Sequence, residues 1–551
     1  MRIGKIIITA ALFVSMTAQG AEQADTTRIM TIDGYPITKS YFEYSFAKNG
    51  MGKSKQAYLQ EFTDFQLRVR EARATGLDTT KDYVEKLKAE VAKLQEPYAM
   101  NMAMVDSALR SEEEKSKTNY RIQHIYIAIK GNGSPKDTAE AYKKAMTAAR
   151  LTETDPFDSV AIWMSEEGSV KRTRGYLPWV SAGALPYPIE KAVYAATKGK
   201  VTGPIRTQSA YHLIRIADTR QDPGKRFVRH SVCLKDLEDP KKTERDQAYF
   251  QADYERLKKA IRNGRGNEVF DSLYNTPRNV DNGGGDLVIT VGNVLPEIEN
   301  EAVALKKVGD ISKMFDSPFG FHILRLDSIA EKNFEADAAF LYEQSQRTGL
   351  LRELTRQYAN SKAETLGMTE QKRNYDRLVT HCEKQGWDDS LITSRMGTLR
   401  GLTLYSMKVN GKTKATTIGD LFDYMKAQDV NASRFWMAYE DKKTEDQINM
   451  YLSHLQEFSD DFANQSHEFS DTEMNYRLMR TRIWDRGEDD KEGMQHYFET
   501  HKKNYGDATT THGIRGRVKA DYEDSLEEAM MTELRSKHQV VMNEKAVAEL
   551  K

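Results

Sequence analysis

Residues 201–218, VTGPIRTQSAYHLIRIAD, and residues 311–328, ISKMFDSPFGFHILRLDS, decide the fold. Both close on an aromatic residue, a histidine and an alternating apolar strand, around His212 and His322. A glycine turn precedes each, and Gly199 and Gly309 stand 110 residues apart, as the two histidines do. Each copy also opens on a histidine in a candidate strand, His124 in YRIQHIYIAI and His230 in FVRHSVCL. A unit of about a hundred residues exceeds the ~20–50 residues of a solenoid repeat, so this is a duplicated domain. Histidines at both ends of both copies point to a site duplicated together with its fold.

The chain has 551 residues, 30% charged and 39% hydrophobic, which suits a soluble, helix-rich protein of several domains. Its formal charge of −1 gives no electrostatic argument for a nucleic-acid partner, which asks for a basic patch. Arg2 and Lys5, the apolar run from Ile6 to Met16 and the small residues Ala18 and Gly20 read as a secretory leader cleaved before Ala21. That run is short of the ~20 residues a membrane span needs, and no later segment predicts one. An exported protein without stable membrane insertion is expected. Cys233 and Cys382 are too few for a disulfide framework or a structural zinc site, and read as small buried hydrophobes. No metal and no cofactor is expected.

The expected order is a leader at 1–20, a helical N-terminal region at 21–118, repeat domains at 119–220 and 226–330, and a mainly helical region at 331–551. Within the last, ATTIGDLFDYMKAQ echoes the start of the mature chain, with Phe422 and Tyr424 spaced like Phe42 and Tyr44. The echo suggests that the two ends form one composite domain around the inserted repeats.

The repeated ending, behind Gly199-Lys200-Val201-Thr202 and Gly309-Asp310-Ile311-Ser312, resembles the parvulin family of peptidyl-prolyl cis-trans isomerases. The layout as a whole is similar to periplasmic chaperones of the SurA type. The resemblance implies an α+β fold: two parvulin-like domains, each a four-stranded antiparallel sheet wrapped by helices, inserted between helical N- and C-terminal chaperone regions. It pairs His124 with His212 and His230 with His322, and puts a hydroxyl five residues before each closing histidine, at Thr207 and Ser317. It puts the loop acid at Glu167 in copy one and only Thr276 in copy two. It places the proline pocket, usually a methionine and a phenylalanine, at Leu185 and Ile189 and at Val294 and Ile298, with Phe319 as a further substrate contact. The family's Gly-Gly-Asp-Leu turn is kept in copy two but reads Arg174-Gly175-Tyr176-Leu177 in copy one. Its Phe-Gly is kept at Phe319-Gly320 but is Ser209-Ala210 in copy one.

Rotation about X-Pro faces ~18–20 kcal/mol, breaks no bond and needs no cofactor; an enzyme must bind the twisted amide better than either planar form. The histidines are therefore either catalytic or a structural tie between strands, since buried polar groups need partners. The resemblance implies a periplasmic folding factor acting on unfolded or proline-containing exported polypeptides, with outer-membrane proteins as clients. Two rivals stand beside it: a holdase whose parvulin domains only bind peptides, favoured by the altered pocket, and a scaffold of an envelope machine.

Overall fold

The computed structural model describes residues 27–130, 134–385, 397–431, 434–506, 508 and 510–550. The expected leader, 1–20, lies outside the described residues. Among the described residues the chain divides into a unit within Met102–Glu445 and a second unit formed by residues 27–101 together with residues 446–550.

The first unit holds two four-stranded antiparallel sheets of the same plan. In one the order is Tyr176–Val180, Thr118–Ala128, Ala210–Gln221, Val201–Arg206; in the other it is Gly285–Ile289, Lys225–Leu234, Gly320–Ala330, Phe315–Ser317. Opening and closing strands are thus central neighbours. The period of two along a strand sorts the side chains. On one face of the first sheet, Ile125, Ile127 and Leu213 pack against helices Pro135–Leu151 and Phe157–Met164. On the other, Ile122, Ile214 and Ile216 meet Ile189 and Val193 of helix Tyr187–Ala195. The second sheet repeats this. Cys233 and Ile323 face helices Pro240–Arg262 and Gly266–Tyr274, and Val228, Leu324 and Leu326 face helix Pro296–Ala304. Ser134 starts helix Pro135–Leu151 with a capping box to Asp137 and a proline at the first turn, where its missing N–H costs nothing.

The rest of this unit, residues 331–445, contains helices Phe334–Thr348, Leu350–Ser361 and Lys372–Gln385 and a small sheet built on Thr403–Val409 and Lys412–Thr417. Helix Ile418–Ala427 follows that hairpin, capped by Thr417, as helix Lys39–Asn49 follows the hairpin Arg28–Ile32/Tyr35–Thr38, capped by Thr38. The echo between the two stretches is thus a repeated hairpin–helix. Its copies lie in different units, so it does not mark a pairing of the ends.

The ends nevertheless fold together. Strand Arg28–Ile32 lies between Tyr35–Thr38 and Val540–Met542, with Thr31 opposite Val541. Helix Lys55–Ala74 packs on helices Asp460–Met479 and Arg515–Lys537. Their core includes Phe42, Phe62, Leu67, Met474, Leu478 and Leu534. The expected segments 21–118 and 331–551 do not coincide with these units, because helix Met102–Ser116 and residues 331–445 belong to the first. Among the described residues no helix is long and apolar enough to cross a membrane.

Candidate functional site

Register decides what the histidines can reach. Tyr126 lies opposite His212 and Val232 opposite His322, so each closing histidine shares a sheet face with the histidine two residues before its partner. His124 Nε2 lies 2.8 Å from His212 Nδ1, and His230 Nε2 lies 2.8 Å from His322 Nδ1. The far nitrogen of each closing histidine meets the expected hydroxyl: Thr207 Oγ1 at 2.7 Å from His212 Nε2, Ser317 Oγ at 2.7 Å from His322 Nε2. All four rings are buried.

Ser317 Oγ accepts the backbone N–H groups of Phe319 and Gly320, at 3.1 and 3.3 Å, so its own hydrogen is free to point at His322 Nε2. His322 then carries its proton on Nδ1 and donates to His230 Nε2. In the first domain Glu167 Oε2 sits 3.4 Å from His124 Nδ1 and can only accept, so hydrogen bonds link Thr207, His212, His124 and Glu167 in one chain. The bond from His124 holds Glu167 below the usual carboxylate range against the opposing effect of burial, and Ser169 donates to its other oxygen at 3.0 Å. Burial, then the neighbouring histidine, lowers His212 and His230 to about 4; burial likewise lowers His322 to about 4. These three imidazoles are neutral near pH 7.

The other expected residues divide. Thr276 makes neither bond to the second histidine pair. Its hydroxyl donates to Leu273 O and accepts from Asn279 N, capping helix Pro277–Asp281. The physical reason is that Thr276 precedes a proline-led helix whose first N–H groups need an acceptor. Ile189 and Ile298 are buried in the two domain cores, with Leu185 and Val294 half-buried beside them. Phe319 is 59% exposed at the turn into the closing strand.

Two residues of the second site escaped the sequence reading. Phe315 stacks on His322 with ring centres 5.2 Å apart; its place two residues before Ser317 on an edge strand was the available signal. Asn279 Oδ1 accepts from Val232 N while its amide donates to the carbonyls of His230 and Tyr274, which pins the opening strand at the histidine. No local pattern announces such a long-range bond.

The family model for the rotamase domain, the PPIC-type PPIASE domain, matches residues 124–218 and again 234–328. Two parvulin-type rotamase domains stand in tandem in this chain. Curated relatives of this chain include Chaperone SurA of Chromohalobacter salexigens, 25% identical over 237 residues, 42% of this chain and 54% of the relative. Chaperone SurA of Alcanivorax borkumensis is 26% identical over 238 residues, with the same two shares, 42% and 54%. The chain spans about half the length of the curated relatives it matches. A solved structure from Campylobacter jejuni, where PEB4 and Cj1289 are two structurally related SurA-like chaperones, is 20% identical. It covers 45% of this chain and 98% of its own, with a TM-score of 0.16.

Proposed function

We propose that this protein is a folding factor of the periplasm with chaperone activity and a weak prolyl isomerase activity seated in the first rotamase domain. The observation that carries the reading is the chain Thr207–His212–His124–Glu167. Among the described residues, only this domain has a carboxylate bonded to its histidine pair; in the second, Thr276 is spent on a helix cap. Glu167 stays ionised, and the histidine pair behind it fixes the strand that carries the loop. A carboxylate beside a prolyl amide disfavours the planar form, in which the carbonyl oxygen carries partial negative charge, and so favours the twisted one. Clients are unfolded, proline-containing exported polypeptides, outer-membrane proteins among them; the curated SurA relatives support a chaperone role, and the leader-like stretch 1–20 supports export.

A second reading rests on a specific observation. Ile189 and Ile298 are packed into cores, which leaves no aromatic wall from these positions to grip a pyrrolidine ring. Under that reading both domains bind peptide without catalysis.

The test is isomerisation of a short X-Pro peptide by the intact chain, Glu167→Gln, His124→Ala/His212→Ala and His230→Ala/His322→Ala, each first shown folded by circular dichroism. Loss of rate in the first two variants, with the third near the intact value, is expected. No rate above background in the intact chain, with aggregation of an unfolded client still suppressed, establishes the holdase.

A further inference from the structure

Each rotamase domain carries one buried glutamate that holds its own turn and reaches toward what precedes it. Glu190 Oε2 accepts the N–H of Gly183 at 2.7 Å, and Glu299 Oε2 accepts that of Gly292 at 2.8 Å; both pairs are spaced by seven residues. Their outward partners differ in charge. Glu299 meets Arg220, whose guanidinium also covers the ring of Trp179, so the second domain is tied to the end of the first by an ion pair. Glu190 meets Glu112 of helix Met102–Ser116.

Two facing carboxylates, both buried, repel unless one is protonated. The geometry supplies the place for that proton. Glu112 Oε1 accepts from Lys115 Nζ at 2.7 Å, while the buried Glu112 Oε2 meets no donor among the described residues. Glu190 has its Oε2 filled by Gly183, which leaves its other oxygen to carry a hydrogen. We propose that Glu190 is a carboxylic acid that donates to Glu112 Oε2, so that one proton fastens the first rotamase domain to helix Met102–Ser116 and alkali releases it.

The surrounding groups fit a proton rather than a second cation. Lys115 is engaged by Glu112 and lies over the Tyr194 ring, and Lys332 is engaged by Asp222, Ser116 O and Ser181. Tyr187, Tyr194, Tyr120, Asp222 and Glu353 supply no further positive charge. Burial, followed by Glu112, raises Glu190 to about 9.

The test is amide hydrogen exchange of the full chain between pH 8 and 10, corrected for base catalysis. Protection of helices Met102–Ser116 and Tyr187–Ala195 should fall about tenfold relative to the second unit as the proton leaves. In Glu190→Gln and Glu112→Gln an amide hydrogen replaces the proton, and protection should stay flat. A flat profile in the parent, or equal decline in all three proteins, overturns the proposal. Infrared difference spectra of the parent provide a check that needs no variant: a carboxylic-acid carbonyl band must disappear over the same pH range, and its absence at pH 8 overturns the proposal.

Discussion

Three buried histidines give this protein an acid-sensitive core whose sign follows from their titration. His212, His230 and His322 lie at about 4 in the folded chain against roughly 6.5 in an unfolded one. Between those values the unfolded chain binds protons that the folded chain refuses, so stability is lost as pH falls from about 6.5 to about 4. One such histidine contributes on the order of 2–3 kcal/mol across that window, and a bonded pair less than twice that. In the second domain both histidines are lowered, so its stability should fall over this window. Urea midpoints of each domain, followed by hydrogen exchange at pH 7, 5.5 and 4.5, measure this; midpoints that do not move would mean that the rings are charged or solvated.

The turn leading into the edge strand shows how two copies of one element have drifted apart. Arg174 and Gly284 hold the same place, one residue before Gly175 and Gly285. Arg174 adopts φ 55 and reaches Asp158, with its side chain in the open. A Cβ on Gly284 would collide with Asn279 Oδ1, the atom that receives Val232 N. Asn279 fills the space that copy one leaves to a side chain. Gly284→Ala should therefore cost about 2–4 kcal/mol, because Asn279 must move and leave strand groups unpaired beside His230. Arg174→Ala should cost under about 1 kcal/mol, since an exposed ion pair contributes little and the backbone strain is unchanged. Denaturant midpoints of the two variants decide it; similar costs for both would remove Asn279 from the account.

At the scale of the whole molecule, residues 27–101 depend on a segment more than three hundred residues away. Glu71 is buried; burial raises its carboxyl, but Lys537 at 2.7 Å and His538 at 3.1 Å outweigh this and hold it below the usual range. His538 also bonds Asp33 at 2.7 Å, next to the strand that pairs with Val540–Met542. Truncation after Lys537 removes that strand and one partner of each carboxylate, exposing the edge of Arg28–Ile32. Hydrogen exchange should then show lost protection in Arg28–Ile32 and Lys55–Ala74 while residues 102–445 keep theirs. Loss spread evenly over the chain would mean that the two units unfold as one.

The sequence by itself determined the duplication and the alternation that makes each sheet two-faced. The hydroxyl bonded to each closing histidine came through resemblance and is local: Thr207 lies in the turn after Val201–Arg206 and Ser317 ends its edge strand, so five residues of spacing fix each contact. The pairing of His124 with His212 and of His230 with His322 came through resemblance, and the sheet register accounts for it. Only the tertiary structure decided which domain keeps an acid at its histidines, that Ile189 and Ile298 belong to cores, that Glu190 faces Glu112, and that the chain ends share a sheet. Each of those depends on how elements distant in the chain approach one another, and burial and hydrogen-bond satisfaction set that approach.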